Sequence, residues 1–210
     1  GVITGGADVS LVASQLGDNT FGAITAAGDV NVQAIGLLGD KFDLGDITAN
    51  GDNSNVSLVV DGTASVQTLA NITATGSVNV DLSGYMGDAL AFTTIKGADV
   101  TYVGADLTAN DLGTVTANSL NFTGGLDVDT VILEGVTDET SLTATLDTGT
   151  GTDSVTVNGV ASTETITVSG DLGGDGEAVT VDGSDNVTSG MTINIGGLTG
   201  YATSTITGTS

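Results

Sequence analysis

The chain repeats one short motif: a β-branched residue, then Thr, then a small residue. It stands at Ile3-Thr4-Gly5, Ile24-Thr25-Ala26, Ile47-Thr48-Ala49, Ile72-Thr73-Ala74 and Val115-Thr116-Ala117, with Ile95-Lys96-Gly97 in the remaining place. Successive starts are 21, 23, 25, 23 and 20 residues apart. Each is followed by a short run alternating apolar with small polar residues, as in Asp8-Val9-Ser10-Leu11-Val12, Asp29-Val30-Asn31-Val32, Ser77-Val78-Asn79-Val80-Asp81-Leu82 and Asp99-Val100-Thr101-Tyr102-Val103. Alternation is the period of a half-buried strand, and helical periodicity is not evident anywhere. Gly-Asp pairs at 17–18, 28–29, 39–40, 45–46, 51–52, 87–88 and 170–171 punctuate the runs. Gly supplies positive φ there, and Asp hydrogen-bonds its own turn backbone.

A 20–25-residue unit with two or three short strands is the size of one solenoid coil. One coil cannot bury its own inward face, whereas stacked coils share a continuous core. The expected fold is therefore all-β, a parallel β-solenoid (β-helix) of 20–25-residue coils. The alternative is a β-sandwich with strands every 8–12 residues. The intervals are imperfect and no Asn ladder stands out, which keeps that alternative open. Composition shifts near Asp147. Residues 1–147 read as the solenoid, and 148–210 as a Gly/Thr-rich β continuation or a small β-domain. Short Thr/Val runs there include Ser154-Val155-Thr156-Val157-Asn158 and Ala178-Val179-Thr180-Val181-Asp182.

Charge narrows the function. Lys41 and Lys96 are the only cations against 26 carboxylates, a formal net charge of -24. Such a chain cannot neutralise phosphates, so nucleic acid is a poor partner, and an anionic membrane surface repels it. No stretch approaches the roughly 20 apolar residues that span a bilayer. With no His or Cys there is no imidazole or thiolate metal site and no Ser-His or Cys-His catalysis. A carbohydrate-active β-helix remains conceivable through an acidic pair such as Asp127/Asp129. The chain has no Arg, His or Trp to clamp a sugar, and only Tyr85, Tyr102 and Tyr201 as further ring platforms, so a non-enzyme is expected. Phe21, Phe42, Phe92 and Phe122 are expected in the core. Sequons at Asn55, Asn71, Asn121 and Asn186 are expected by chance in a Ser/Thr-rich chain. The start at Gly1, without a signal peptide, reads as a processed or excised chain.

The carboxylates offer one motif with chemistry. Gly-Gly-x-Gly-x-Asp-x-U-x, with U large and apolar, holds Ca²⁺ in parallel β-rolls. Gly124-Gly125-Leu126-Asp127-Val128-Asp129-Thr130-Val131-Ile132 follows it with Asp127 in place of the third Gly. Thr148-Gly149-Thr150-Gly151-Thr152-Asp153-Ser154-Val155-Thr156 follows it with Thr148 in place of the first. A degenerate copy begins at Gly173-Gly174-Asp175-Gly176-Glu177. Asp129 and Asp153 lie 24 residues apart, which excludes a tandem nonapeptide roll but matches one coil of the longer repeat. Stacking then sets Asp129 beside Asp153, with Asp106 one coil back and Asp175 or Glu177 one coil on. Asp106, Asp127, Asp129, Asp153, Asp175 and Glu177 are the candidate metal ligands, and Ca²⁺, which takes six to eight oxygens in flexible geometry, is the candidate ion.

In these motifs and in its Gly, Thr, Val, Ala and Asp content, the chain resembles repeats-in-toxin secreted proteins and calcium-dependent bacterial S-layer proteins. The resemblance implies an extracellular, cell-surface structural protein. Its partners would be copies of itself in a lattice or filament, with cell-surface polysaccharide as a further possible partner. A stalk or spacer of a large secreted adhesin is the alternative.

Overall fold

The computed structural model describes the chain apart from residues 15–17, 38–40, 64–65, 88–89, 106–108, 137–138, 161–164, 175, 185–191 and 209–210. The described chain is all-β, without a helix, and winds as a parallel β-solenoid. Its strand pairs are parallel, so the β-sandwich alternative, which needs antiparallel sheets, is excluded.

The repeated motif builds the first sheet. Ten of its strands follow one another from Ile3–Gly5 to Thr203–Thr207, and Leu90–Ala91 pairs beside them. Register is exact in side-chain terms: Ile3, Ile24, Ile47, Ile72, Ile95, Val115, Leu133, Val157, Val181 and Ile206 form one inward column. The neighbouring Thr faces outward, giving the column Thr4, Thr25, Thr48 and Thr73, with Lys96 next. Because side chains alternate with period two, a slip of one residue would expose the whole aliphatic column, and this pins the register.

The alternating runs build the second sheet, of nine strands from Val9–Ser14 to Thr192–Thr199. Its inward column runs Leu11, Val32, Leu58, Val80, Tyr102, Phe122, Leu146, Gly170 and Leu198. At its centre Tyr102 stacks on Phe122, centroids 5.6 Å apart, and meets Phe92 edge-on at 5.9 Å. Phe42, Phe92 and Phe122 are buried, as expected, while Phe21 is half-buried and packs against the core. Gly170 is needed where it stands: its φ is +125°, and a Cβ there would lie 1.7 Å from the Leu146 carbonyl oxygen.

A third wall is confined to the earlier coils. Asn19–Phe21, Phe42–Leu44 and Val66–Leu69 form a three-stranded sheet. Beyond it, the described coils are built on the first two sheets alone. The strand Ser141–Gly149 spans the 147/148 boundary, and both long sheets run on either side of it.

Burial differs along a column, and this gives a test. Ile72 is 1 % exposed and Ile206 is 50 % exposed, although both occupy the same register position. Ile72→Ala should cost about 2–5 kcal/mol, the usual range for a buried aliphatic truncation. Ile206→Ala should cost much less. Urea unfolding of the two variants checks the ranking.

Candidate functional site

Two side-chain ladders run along the coil corners, and both are made by acids and amides that precede a strand. At such a corner the backbone leaves N–H groups that the sheets do not engage, and a buried N–H needs an acceptor. Short Asx side chains reach it.

The exposed ladder precedes the second sheet. The N–H of Asp29 donates to Asp8 Oδ1 at 2.9 Å. Asn55 donates its backbone N–H and Nδ2–H to Asp29 Oδ1 at 2.8 and 3.2 Å. Ser77 N–H donates to Asn55 Oδ1 at 2.8 Å. A shorter copy joins Asn71 to Asp46 Oδ1 at 3.1 Å from the backbone and 3.0 Å from Nδ2. The sequence reading found no such ladder, yet the structure contains one, mixed in composition rather than all Asn.

The second ladder is buried and precedes the first sheet. The pairings Asp111 with Thr130, Thr130 with Ser154, and Ser154 with Ala178 place Asn110, Asp129, Asp153 and Glu177 in one file. All four are at most 1 % exposed. Asp129 Oδ1 accepts the N–H and Nδ2–H of Asn110 at 3.0 and 2.8 Å, and its Oδ2 accepts the N–H of Gly125 at 3.3 Å. The Asp129 N–H in turn donates to Asp153 Oδ1 at 2.8 Å. One coil on, Glu177 Oε2 accepts the N–H of Gly176 at 2.9 Å. Gly124 gives the Asp129 carboxylate its room, since a Cβ there would sit 1.9 Å from Oδ2. Val131 and Val155, the U positions of the two nonapeptides, are buried in the core.

The candidate ligands therefore separate. Asp129, Asp153 and Glu177 share the buried file. Asp127 does not join it: it is exposed, and its Oδ1 caps the N–H of Val128 at 2.8 Å. Asp106 and Asp175 lie outside the described residues. Asn110, which the sequence reading missed, stands one coil before Asp129. It also ties the neighbouring corner, accepting the Ala105 N–H at 3.0 Å and the Tyr102 hydroxyl at 3.4 Å.

Electrostatics follow from this burial. Desolvation pushes the Asp129 carboxyl up, the N–H groups of Asn110 and Gly125 pull it back, and the nearby Asp153 pushes it up again; the result is about 6. Burial also raises the Tyr102 phenol well above its ordinary value, with the charges of Asp129 and Asp111 adding to it. At the surface Lys41 pairs with Asp43 at 2.6 Å.

The ladder does not fit a calcium cage. Calcium needs six to eight oxygens turned toward one point. Here both Asp129 oxygens face N–H donors, and among the described residues no three carboxylates converge. What the arrangement does chemically is hold backbone corners in register. Comparison with protein-family models, curated proteins and solved structures found no match to this chain.

Two outcomes are expected. The folded Asp129 binds its proton more tightly than the unfolded chain, whose carboxyl titrates near 3.8. The stabilisation from protonation is complete below 3.8 and is lost as pH rises through about 6. The urea midpoint should thus rise on going from pH 7.5 to pH 5, and Asp129→Asn should flatten that slope. Stripping the protein with chelator should leave its far-UV β signal intact, and added calcium should not increase it.

Proposed function

We propose that this chain is a structural, non-enzymatic rod of the extracellular cell surface, a subunit of a surface lattice or filament. The observation that carries the reading is the first-sheet file, ten strands long, that keeps one inward column and one register from Ile3 to Ile206. A continuous parallel ladder spreads axial load over hydrogen bonds between every pair of coils. Its stability is a sum of nearest-neighbour interfaces, so length is gained without a new core.

The surface is consistent with that role. The outward column beside the core of the second sheet is Ser10, Asn31, Ser57, Asn79, Thr101, Asn121, Thr145 and Ser169, small polar residues throughout. The 26 acids keep the flanks hydrated and apart. The resemblance in composition to S-layer and repeats-in-toxin proteins points the same way.

An antibody against this chain should label the outside of intact source cells as a continuous or linear array, and surface protease should remove the label. Labelling that appears only after the cells are opened would overturn the reading.

A further inference from the structure

The two end faces of the solenoid differ from its flanks in both charge and pairing. The chain carries 26 acids in 210 residues, yet residues 186–210 carry none and residues 1–28 carry two, Asp8 and Asp18. At each end an edge lies open. Thr203–Thr207 is paired on one side only, with Ala178–Asp182, and Ile3–Gly5 on one side only, with Ile24–Ala26. Each therefore presents a row of backbone donors and acceptors along the rod axis, a ready template for another strand. The aliphatic columns are also unsealed there. Ile206 is 50 % exposed where Val181, one strand inward, is 0 %. Val9 and Leu11 are partly exposed at one end, and Ile193 and Ile195 at the other.

We infer that a second copy of this chain stacks end to end on the first, Thr203–Thr207 of one copy pairing in parallel with Ile3–Gly5 of the next. The internal register dictates the alignment. Ile206 ends the column that Ile3 begins, so Ile206 sits beside Ile3 of the next copy and Thr207 beside its Thr4. On the second sheet, Leu198 ends the column that Leu11 begins, so those two meet as well. In a parallel solenoid each coil is a translated copy of the last, which makes one end complementary to the other. Removal of charge from both faces lets them approach without the repulsion that the flanks carry. The contact joins two different surfaces and does not close on itself, so it propagates as a filament. Ten first-sheet strands at about 4.8 Å each give an axial repeat of roughly 48 Å. The inference deepens the structural reading and rests on it for biological setting alone. Purified protein tests the contact, and cell labelling tests the setting.

The chain has no cysteine, so a cross-link can be placed at will. Thr4→Cys and Thr207→Cys alter outward positions and leave the core intact. In the stacked filament their Cα atoms in adjacent copies are about 5 Å apart, within disulfide range. The double variant, oxidised and run without reductant, should give a ladder of covalent oligomers, while each single variant should give monomer. Electron microscopy of concentrated wild-type protein should show unbranched filaments with the roughly 48 Å repeat. Ile206→Asp, checked for fold by circular dichroism, should abolish them. Three results would overturn the contact: single variants that cross-link as well as the double variant, association without the axial repeat, and a wild-type protein monomeric at every concentration, as expected if those ends serve further coils of one longer chain.

Discussion

Everything in this molecule depends on one contact: the inward face of a coil covered by the inward face of its neighbour. A single coil offers a few Val, Ile, Leu or Ala side chains and no second layer to bury them. Stacked, each such side chain contributes about 1.5–3 kcal/mol of burial. The aliphatic column from Ile3 to Ile206 is the continuous form of that contact. It also explains the sequence's poverty in aromatics. A narrow bore filled by β-branched chains has room for rings at few levels, and Phe92, Tyr102 and Phe122 occupy one of them together.

Hydrophobic stacking fixes the strands but leaves the corners unsolved. There the chain uses carboxylates in two environments. On the exposed side Asp8, Asp29 and Asn55 take the N–H of the next coil while water solvates the remaining lone pairs. On the buried side Asp129 and Asp153 take N–H groups donated from the preceding coil, without water. Two ionised carboxylates one coil apart repel by about 1 to 4 kcal/mol as the local dielectric falls from that of water to about 20. Partial protonation of Asp129 relieves both that repulsion and the cost of burial, which is why its carboxyl sits near 6. The same residue type thus serves as a cheap staple at the surface and as a proton-linked one within.

The solenoid was legible because the Ile-Thr-Ala motif marks one corner of each coil and hardly varies. The spacing of Asp129 and Asp153 was legible for the same reason, since 24 residues is one coil. Asn110 was not. A register shift between Asp111 and Thr114, where Gly113 takes φ +58°, adds backbone to its strand and hides the alignment of Asn110 with Asp129. The exposed ladder was missed because its members change from Asp to Asn to Ser. What the corner requires is a short side chain with an oxygen, and a search for a single residue type cannot find that. The third wall was invisible as well. Asn19–Phe21, Phe42–Leu44 and Val66–Leu69 are too short to alternate recognisably, and they are set by the length of chain left between the other two sheets.

Charge placement then gives the rod a direction. Flat parallel sheets rich in Val and Thr are prone to associate edge to edge and face to face. Along the flanks, acids such as Asp99, Asp147 and Asp171 oppose that approach, and two lysines cannot offset them. Their field reaches about one Debye length, roughly 8 Å at physiological ionic strength. Lateral spacing between rods is therefore sensitive to salt. The axial faces, where acids are few and the ladder edge is open, depend on backbone hydrogen bonds and aliphatic burial, which salt screens little. A solenoid with this distribution grows along its own axis before it packs sideways, and the order of those two steps is written into where the chain places its aspartates.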